Sequence, residues 1–432
     1  MVTKQGIILT ATAAVVTTIG LTGAGIHQIS EGQPISLFSN SPKELIDEVW
    51  QVIDQSYVDG TFNQQDWRAV RKEYLSKNYK SKAEVYTAIR EMLKKLNDPY
   101  TRFMDPEEFK NMRIDTSGEL TGVGIQLAQD EETKKLVVVS PIEDTPAYKA
   151  GILAKDFIVK IDGKSTKGMD VNDAVKLIRG KAGTTVKLTI QRGTKNIDYL
   201  LTRARIEIHP VRYTLKNTNT GKIGYIRLNQ FSANAGSEMS EAIKKGEKDA
   251  VVGYILDLRS NPGGLLYTSV EIARMWIPEG KIVSTVERKG ETDLHKANNK
   301  ALTDKPLVVI VDGGSASASE ILSGALKDNK RAQIIGTKTF GKGLVQSVRP
   351  LPDGSGLAVT IAKYYTPNGT DINKKGIIPD VKLELTDEQR KALQKNRDRI
   401  GTNDDPQYAK AMQVLNQQIA NRSGKQAGNS NQ

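Results

Sequence analysis

Asp312-Gly313-Gly314-Ser315-Ala316-Ser317-Ala318-Ser319-Glu320, followed by Phe340-Gly341-Lys342-Gly343, decides how the rest of this chain is read. The apolar run 306–311 has the length and composition of a buried strand, and residues 320–327 carry apolar side chains at helical spacing. The serines therefore fall where a strand turns into a helix. Backbone N–H groups and the positive end of the helix dipole would there face a reacting carbonyl. Small residues also build tight turns with no chemistry attached. The lysine between two glycines separates the two readings, because a neutral amine can take a proton from a serine hydroxyl where no histidine is at hand. Free lysine titrates near ~10.4 and has to fall to roughly 7–8 to be a useful base, a shift worth on the order of 4 kcal/mol that burial can impose. Phe340 and Leu344 flank the lysine and are expected to bury it, while the glycines let the backbone approach the serine turn.

Composition narrows the alternatives. The chain has 432 residues, too many for one core, and 38% hydrophobic content is enough for about three packed domains. With no cysteine, disulfides, thiolate zinc sites and a cysteine nucleophile are excluded. Only His27, His209 and His295 could complete a Ser-His-Asp triad, and none lies in a glycine-rich context; His295 falls in the polar stretch 289–300, which reads as a solvated loop. The net charge of +12 is dispersed among acids, only 6% of residues are aromatic, and no basic block is interleaved with aromatics. That argues against nucleic-acid binding and fits solubility with weak attraction to anionic membranes.

Lys4 precedes an almost uncharged run, 6–26, of the kind that export machinery recognises, with a small-residue cleavage site after Ala24. Residues 1–26 thus read as a signal peptide or a membrane anchor. Many threonines and glycines make the run a mediocre span, which favours cleavage. Either way the working domains are expected outside the cytoplasm.

The expected fold class is multidomain α+β: an N-terminal helical domain, a small β module, an α/β core and C-terminal helices. Residues 41–112 form the helical domain, with helices at 43–57 and 82–96, ending in the turn Asn97-Asp98-Pro99-Tyr100-Thr101-Arg102-Phe103-Met104, whose aromatics can pack on another domain. Residues 116–204 form the β module, 205–385 the core, 386–421 terminal helices and 422–432 a disordered polar tail. Within the core, 222–228, 251–258, 307–311, 332–335 and 356–365 read as strands and 239–245, 266–276 and 319–328 as helices. The segment 336–343 also satisfies the G-x-x-x-x-G-K part of a phosphate-binding loop. Gly343, however, stands where a magnesium-binding hydroxyl is required, and 345–350 alternates like a strand instead of opening a helix.

The β module resembles a PDZ domain. Gly122-Val123-Gly124-Ile125 matches the loop whose amides receive a peptide's terminal carboxylate, and a peptide strand would add beside Ile125, Gln126 and Leu127; Pro146-Ala147, Ala150-Gly151-Ile152 and Ile161-Asp162-Gly163 also fit that pattern. From Pro42 to about Leu415 the chain resembles the carboxyl-terminal processing peptidases, Ser-Lys enzymes of the tail-specific protease family. Chemistry alone does not separate Ser315, Ser317 and Ser319; the family motif over 314–320 selects Ser317 as nucleophile and assigns the base to Lys342. It implies that Gln346 positions the lysine amine and that the N–H groups of Gly263, in Asp257-Leu258-Arg259-Ser260-Asn261-Pro262-Gly263-Gly264, and of Ala318 form an oxyanion hole. Tyr364-Tyr365-Thr366-Pro367-Asn368-Gly369 and Gly376-Ile377-Ile378-Pro379-Asp380 are further family signatures. Ser319 with Glu320 is expected to cap the helix, and Asp257 with Arg259 to brace the Gly263 loop.

The resemblance implies an exported serine endopeptidase that captures a protein's C-terminus and removes a tail, with no metal or organic cofactor. The D1 precursor of photosystem II is one substrate of photosynthetic members; periplasm or thylakoid lumen is the implied location. It admits a homodimer through the terminal helices and membrane association through the N-terminus. The competing readings are a non-catalytic PDZ-type peptide-binding scaffold and a Ser-Lys hydrolase without C-terminal specificity.

Overall fold

The computed structural model describes residues 42–429 apart from 131, 132, 143 and 291. The expected signal or anchor at 1–26 and the residues 430–432 lie outside the described residues. The chain divides into two compact units. Ser117–Ile208 form one, and the chain on either side forms the other.

The larger unit is built on a six-stranded sheet in the order Val211–Thr218, Gly221–Leu228, Gly253–Asp257, Leu307–Val311, Gln333–Gly336, Val381–Lys382, antiparallel in its first pair and parallel thereafter. Leu307–Val311 is apolar without interruption because both its faces are covered. Leu307, Val309 and Val311 pack with the helices Ala235–Lys248, Leu266–Trp276 and Ala318–Asp328. Val308 and Ile310 meet Tyr408, Met412 and Leu415 of the helix Pro406–Asn429. That helix continues through 422–429, where a disordered tail was expected: Gly424 and Gly428 are poor helix formers, but the segment extends a helix whose earlier turns are anchored by packing, so no new nucleus has to form.

A second, five-stranded sheet centres on Gly356–Tyr365, flanked by Leu344–Pro350, Lys281–Glu287 and Arg102–Met104, with Thr292–Lys296 outside Lys281–Glu287. His295 therefore lies on a strand and not in the expected loop. Its hydrophilic neighbours hide the strand from a hydropathy reading because one sheet edge faces water. The N-terminal helices Pro42–Ser56, Trp67–Ser76 and Lys82–Lys94 pack Ile46, Ile53, Ile89 and Met92 with Leu357 and Val359 of this sheet, sharing its core.

The Ser117–Ile208 unit carries a six-stranded antiparallel sheet ordered Ile125–Gln129, Leu136–Pro141, Phe157–Ile161, Thr185–Arg192, Lys195–Thr202, with Lys164–Ser165 beside Phe157–Ile161. A separate two-stranded ribbon pairs Glu119–Gly122 with Ala204–Glu207. The helix Val171–Ile178 contributes Ala174 and Ile178 to the unit's core.

Candidate active site

Three adjacent parallel strands end at the same edge of the core sheet, where ligands bind in open α/β sheets. Gly253–Asp257 leads into residues 258–264, Leu307–Val311 into the serine turn, and Gln333–Gly336 into the loop bearing Lys342. Cross-links fix the loops together: Ala316 N–H donates to Asn261 O (3.0 Å), Phe340 N–H to Ser315 O (3.1 Å) and Ser260 N–H to Asp312 Oδ1 (2.8 Å). The element directly after Lys342 is the strand Leu344–Pro350, so the phosphate-loop reading has no helix N-terminus at the loop to hold an anion.

The three serines, equivalent in the sequence, are not equivalent here. Ser315 donates its hydroxyl to Leu258 O (2.8 Å) and Ser319 donates to Asn261 O (2.9 Å). Ser317 is the residue that caps the helix, correcting the expectation for Ser319, and its backbone sits at φ 58°, ψ −114°. A non-glycine residue held there stores strain of order 1–3 kcal/mol, the signature of a sharp strand-to-helix turn that presents a side chain. Its hydroxyl hydrogen-bonds to the oxygen of the buried Tyr364 phenol, whose own proton is donated to Lys342 O.

Glu320 joins the serine turn to the lysine loop. Its Oε2 accepts from Ser317 N–H (2.8 Å) and Lys342 N–H (2.8 Å), and its Oε1 from Gly341 N–H (2.7 Å) and Thr339 Oγ1 (2.5 Å). Burial pushes the carboxyl above its ordinary range, against the pull of those hydrogen bonds. Lys342 is 3% exposed, and burial, aided by the positive charge of Arg102, lowers it to about 8, while Glu320 and Asp98 pull the other way. That is the range a serine-activating base requires. Phe340 does not provide the cover the sequence suggested, being 57% exposed. Tyr100, from the turn after the N-terminal helices, instead places its ring centroid 4.9 Å from the lysine amine.

Of the remaining candidates, Gln346 is buried on the Leu344–Pro350 strand; its Nε2 donates to Thr360 Oγ1 (3.3 Å), and its Oε1 has no hydrogen-bond partner among the described residues. The contact with Lys342 that the resemblance implied is thus not closed in this structure. Gly263 lies against the turn: a Cβ there would sit 2.8 Å from Ser317 Cβ and 3.0 Å from Ala318 N, and its φ of +101° also requires glycine. Its N–H, however, donates to Asn261 Oδ1 (2.9 Å), so Asn261 has to release it before it can stabilise an oxyanion. Arg259 bridges Asp257 (2.6 Å) and Asp405 (2.7 Å) in a buried network that braces this loop and extends to the C-terminal segment.

In the other unit, Gly122 ends the Glu119–Gly122 strand, and Val123 is buried. Val123 O accepts from Ala147 N–H (2.9 Å) and Gly124 O from Ile142 N–H (2.9 Å), which fixes the loop. Gly124, at φ +80°, lies so close to Thr145 that a Cβ would sit 2.3 Å from its side chain. Ile125 and Leu127 pack on the module's core while Gln126 is exposed, on a strand at the end of its sheet. An added strand is what such an edge can accept.

The sequence reading missed Glu320 as a link, Tyr364 and Tyr100. Tyr364 and Tyr100 lay inside motifs already noted, but their roles depend on strands brought together from distant parts of the chain.

Peptidase family S41 matches residues 222–383, a PDZ domain residues 137–192 and the tricorn protease C1 domain residues 38–94. A carboxyl-terminal-processing protease of Synechocystis sp. is 46% identical over 354 residues, covering 81% of this chain and 83% of its own. Carboxyl-terminal-processing peptidase 2, chloroplastic, of Arabidopsis thaliana is 41% identical over 83% of this chain and 72% of its own. Among solved structures, a photosystem II D1 C-terminal processing protease matches with a TM-score of 0.56 at 40% identity, over 80% of this chain and 93% of that one.

Proposed function

Because the chain belongs to the carboxyl-terminal-processing proteases of peptidase family S41, we propose that it is an exported serine endopeptidase in which Ser317 and Lys342 form the catalytic dyad and the PDZ domain selects substrates by their free C-terminus. The observation that carries the dyad is the Glu320 carboxylate, which holds Ser317 N–H and Lys342 N–H on one oxygen beside a lysine lowered to about 8. Lys342 takes the hydroxyl proton as Ser317 attacks the scissile carbonyl. The oxyanion is received by Ala318 N–H and by Gly263 N–H once Asn261 yields it, the leaving amine takes a proton from the lysine, and water then releases the acyl-enzyme.

Tail recognition rests on Gly122, Val123, Gly124, Ile125, Gln126 and Leu127: the loop amides for the carboxylate, the strand edge for the chain behind it. A thylakoid-lumen or periplasmic protein with an extended tail is the substrate class, and the D1 precursor is the specific candidate, since one similar solved structure is that of a photosystem II D1 C-terminal processing protease. Export is supported by the sequence of residues 1–26; among the described residues, no helix is long and apolar enough to cross a membrane.

The test is cleavage of an unstructured peptide with a free C-terminal carboxylate. Ser317→Ala and Lys342→Ala should each lower kcat by at least about 10⁴-fold with the melting transition retained; activity surviving in either refutes the dyad. Amidating the peptide's C-terminus should raise KM by at least about tenfold, as expected when a charge-assisted contact is lost. An unchanged rate would favour a Ser-Lys hydrolase with no C-terminal specificity.

A further inference from the structure

The buried amide of Gln346 poses a question of direction. An amide can present either its oxygen or its NH₂ to a neighbour, and only the oxygen can accept from a lysine ammonium or amine. The protons around it answer the question. Asp98, in the turn after the N-terminal helices, accepts from Thr360 Oγ1 (2.6 Å) and Thr101 Oγ1 (2.7 Å) on the same carboxylate oxygen, and its other oxygen accepts from Tyr100 N–H (2.9 Å). Each threonine hydroxyl has one proton, and an ionised carboxylate can only accept. With both protons directed to Asp98, both hydroxyl oxygens are left as acceptors. Thr101 Oγ1 accepts from Thr360 N–H (3.0 Å), and Thr360 Oγ1 accepts from Gln346 Nε2 (3.3 Å). The amide is thereby oriented, and Gln346 Oε1 is left buried with no partner among the described residues.

We propose that Asp98 is a positioning residue for the catalytic lysine: through the hydroxyl of Thr360 it fixes the Gln346 amide so that Oε1, and not Nε2, is offered to the Lys342 amine when the site engages substrate. The inference rests on the dyad reading above and adds a chain of command to it. Thr360 is 1% exposed and Gln346 fully buried, so water does not supply a substitute proton acceptor. The turn is held in place independently of the relay, since Arg102–Met104 pairs with Gly356, Leu357 and Ala358, and Val58 N–H donates to Thr360 O (2.9 Å). Besides setting the Tyr100 ring beside the lysine amine, the turn after the N-terminal helices is in this way coupled to the chemistry through a hydrogen-bond relay. An orphaned acceptor in a buried site is costly, which is the expected condition of a group that meets its partner only in the working state.

The experiment is a double-mutant cycle in the full chain, read as kcat and KM separately. Asp98→Asn removes the acceptor-only character and lets Thr360 Oγ1 accept from an amide, so its proton is free to turn toward Gln346. It should lower kcat by about tenfold with KM changed less than about twofold. In the Gln346→Ala background the same substitution should cost less than about twofold, because the relay has lost its end point. Thr360→Val should reproduce the kcat loss, and Thr360→Ser, which keeps the hydroxyl, should restore most of it. Losses that multiply in the double mutant, or a Thr360→Val enzyme with the wild-type kcat, overturn the relay. Melting curves of the Thr360 pair separate lost orientation from lost fold, since a folded, slow Thr360→Val enzyme is the predicted result. Failure of the relay leaves Ser317→Ala and Lys342→Ala inactive, whereas failure of the dyad leaves one of them active, so the two outcomes are distinguishable.

Discussion

Around Ser317 and Lys342, four donors converge on one buried carboxylate, whereas the Ile125–Gln129 strand lies at the end of its sheet with Gln126 exposed and one edge open. The core has settled its polar groups internally and left a few atoms in reserve; the PDZ unit has left a backbone edge to be completed from outside. On the proposed function, the contrast follows from what each must do. Proton transfer needs groups fixed before substrate arrives and kept from water, because preorganised dipoles then act without reorganising. Capture of varied tails needs backbone pairing that any sequence can supply, with side chains judged only by the groove beside them.

The sharpest way to break this contrast is at Glu320. Each carboxylate oxygen accepts two hydrogen bonds, so Glu320→Gln must turn an NH₂ toward two donors in either orientation. We expect kcat to fall by about 10³-fold, with a destabilisation of about 3 kcal/mol or more from the donors left without an acceptor. Peptide turnover and thermal melting check both; a fully active Gln variant would mean the carboxylate is only a structural cap.

A smaller effect is expected on the recognition side. Gly124→Val introduces a β-branched side chain at φ +80°, where Thr145 already fills the space. The loop has to move, and KM for peptides with a free C-terminus should rise by about 10²-fold. Labelling of Ser317 by a small acylating probe should not change. A fall in labelling as well would show that the PDZ unit controls the core and does not merely feed it.

The two regions also differ in how far the sequence revealed them. The helix Leu266–Trp276 and the strand Leu307–Val311 stood out because burial on one or both faces writes itself into hydrophobic pattern and length. Lys281–Glu287, Thr292–Lys296 and Val211–Thr218 did not, since their apolar positions are interrupted by lysine, arginine, aspartate and histidine on partly exposed strands. Arg102–Met104 is three residues long and is a strand only because Gly356, Leu357 and Ala358 lie beside it. At the site, chemistry alone left three candidate serines and the family motif pointed to Ser317, but the commitment of Ser315 and Ser319 to carbonyl oxygens is a three-dimensional fact. The same holds for Tyr100 over Lys342 and for Asn261 on Gly263 N–H. Local pattern specifies elements, whereas hydrogen bonds between distant loops specify which atoms are left to react.

The smallest effect tests the cost of keeping Lys342 ready. Burial, which disfavours the charged form, lowers its amine to about 8 in the folded chain, against ~10.4 in an unfolded one. Between those values the unfolded chain binds more protons than the folded one, so stability rises with pH across that window. Below the folded value the penalty is fully present, and above the unfolded value it is gone. Moving from pH ~7.5 to ~9 should therefore raise the unfolding free energy by about 1 kcal/mol through this group. Lys342→Met should lack that increment while losing all cleavage, and the acid limb of wild-type kcat/KM should show an apparent pKa near about 8. Urea unfolding of both proteins at the two pH values measures the difference. Equal pH dependence in the two proteins would place the amine in water and remove the reason for it to be neutral; a flat Lys342→Met curve beside a rising wild-type one shows that the core holds its base neutral at a cost in stability that the open edge of the PDZ unit does not bear.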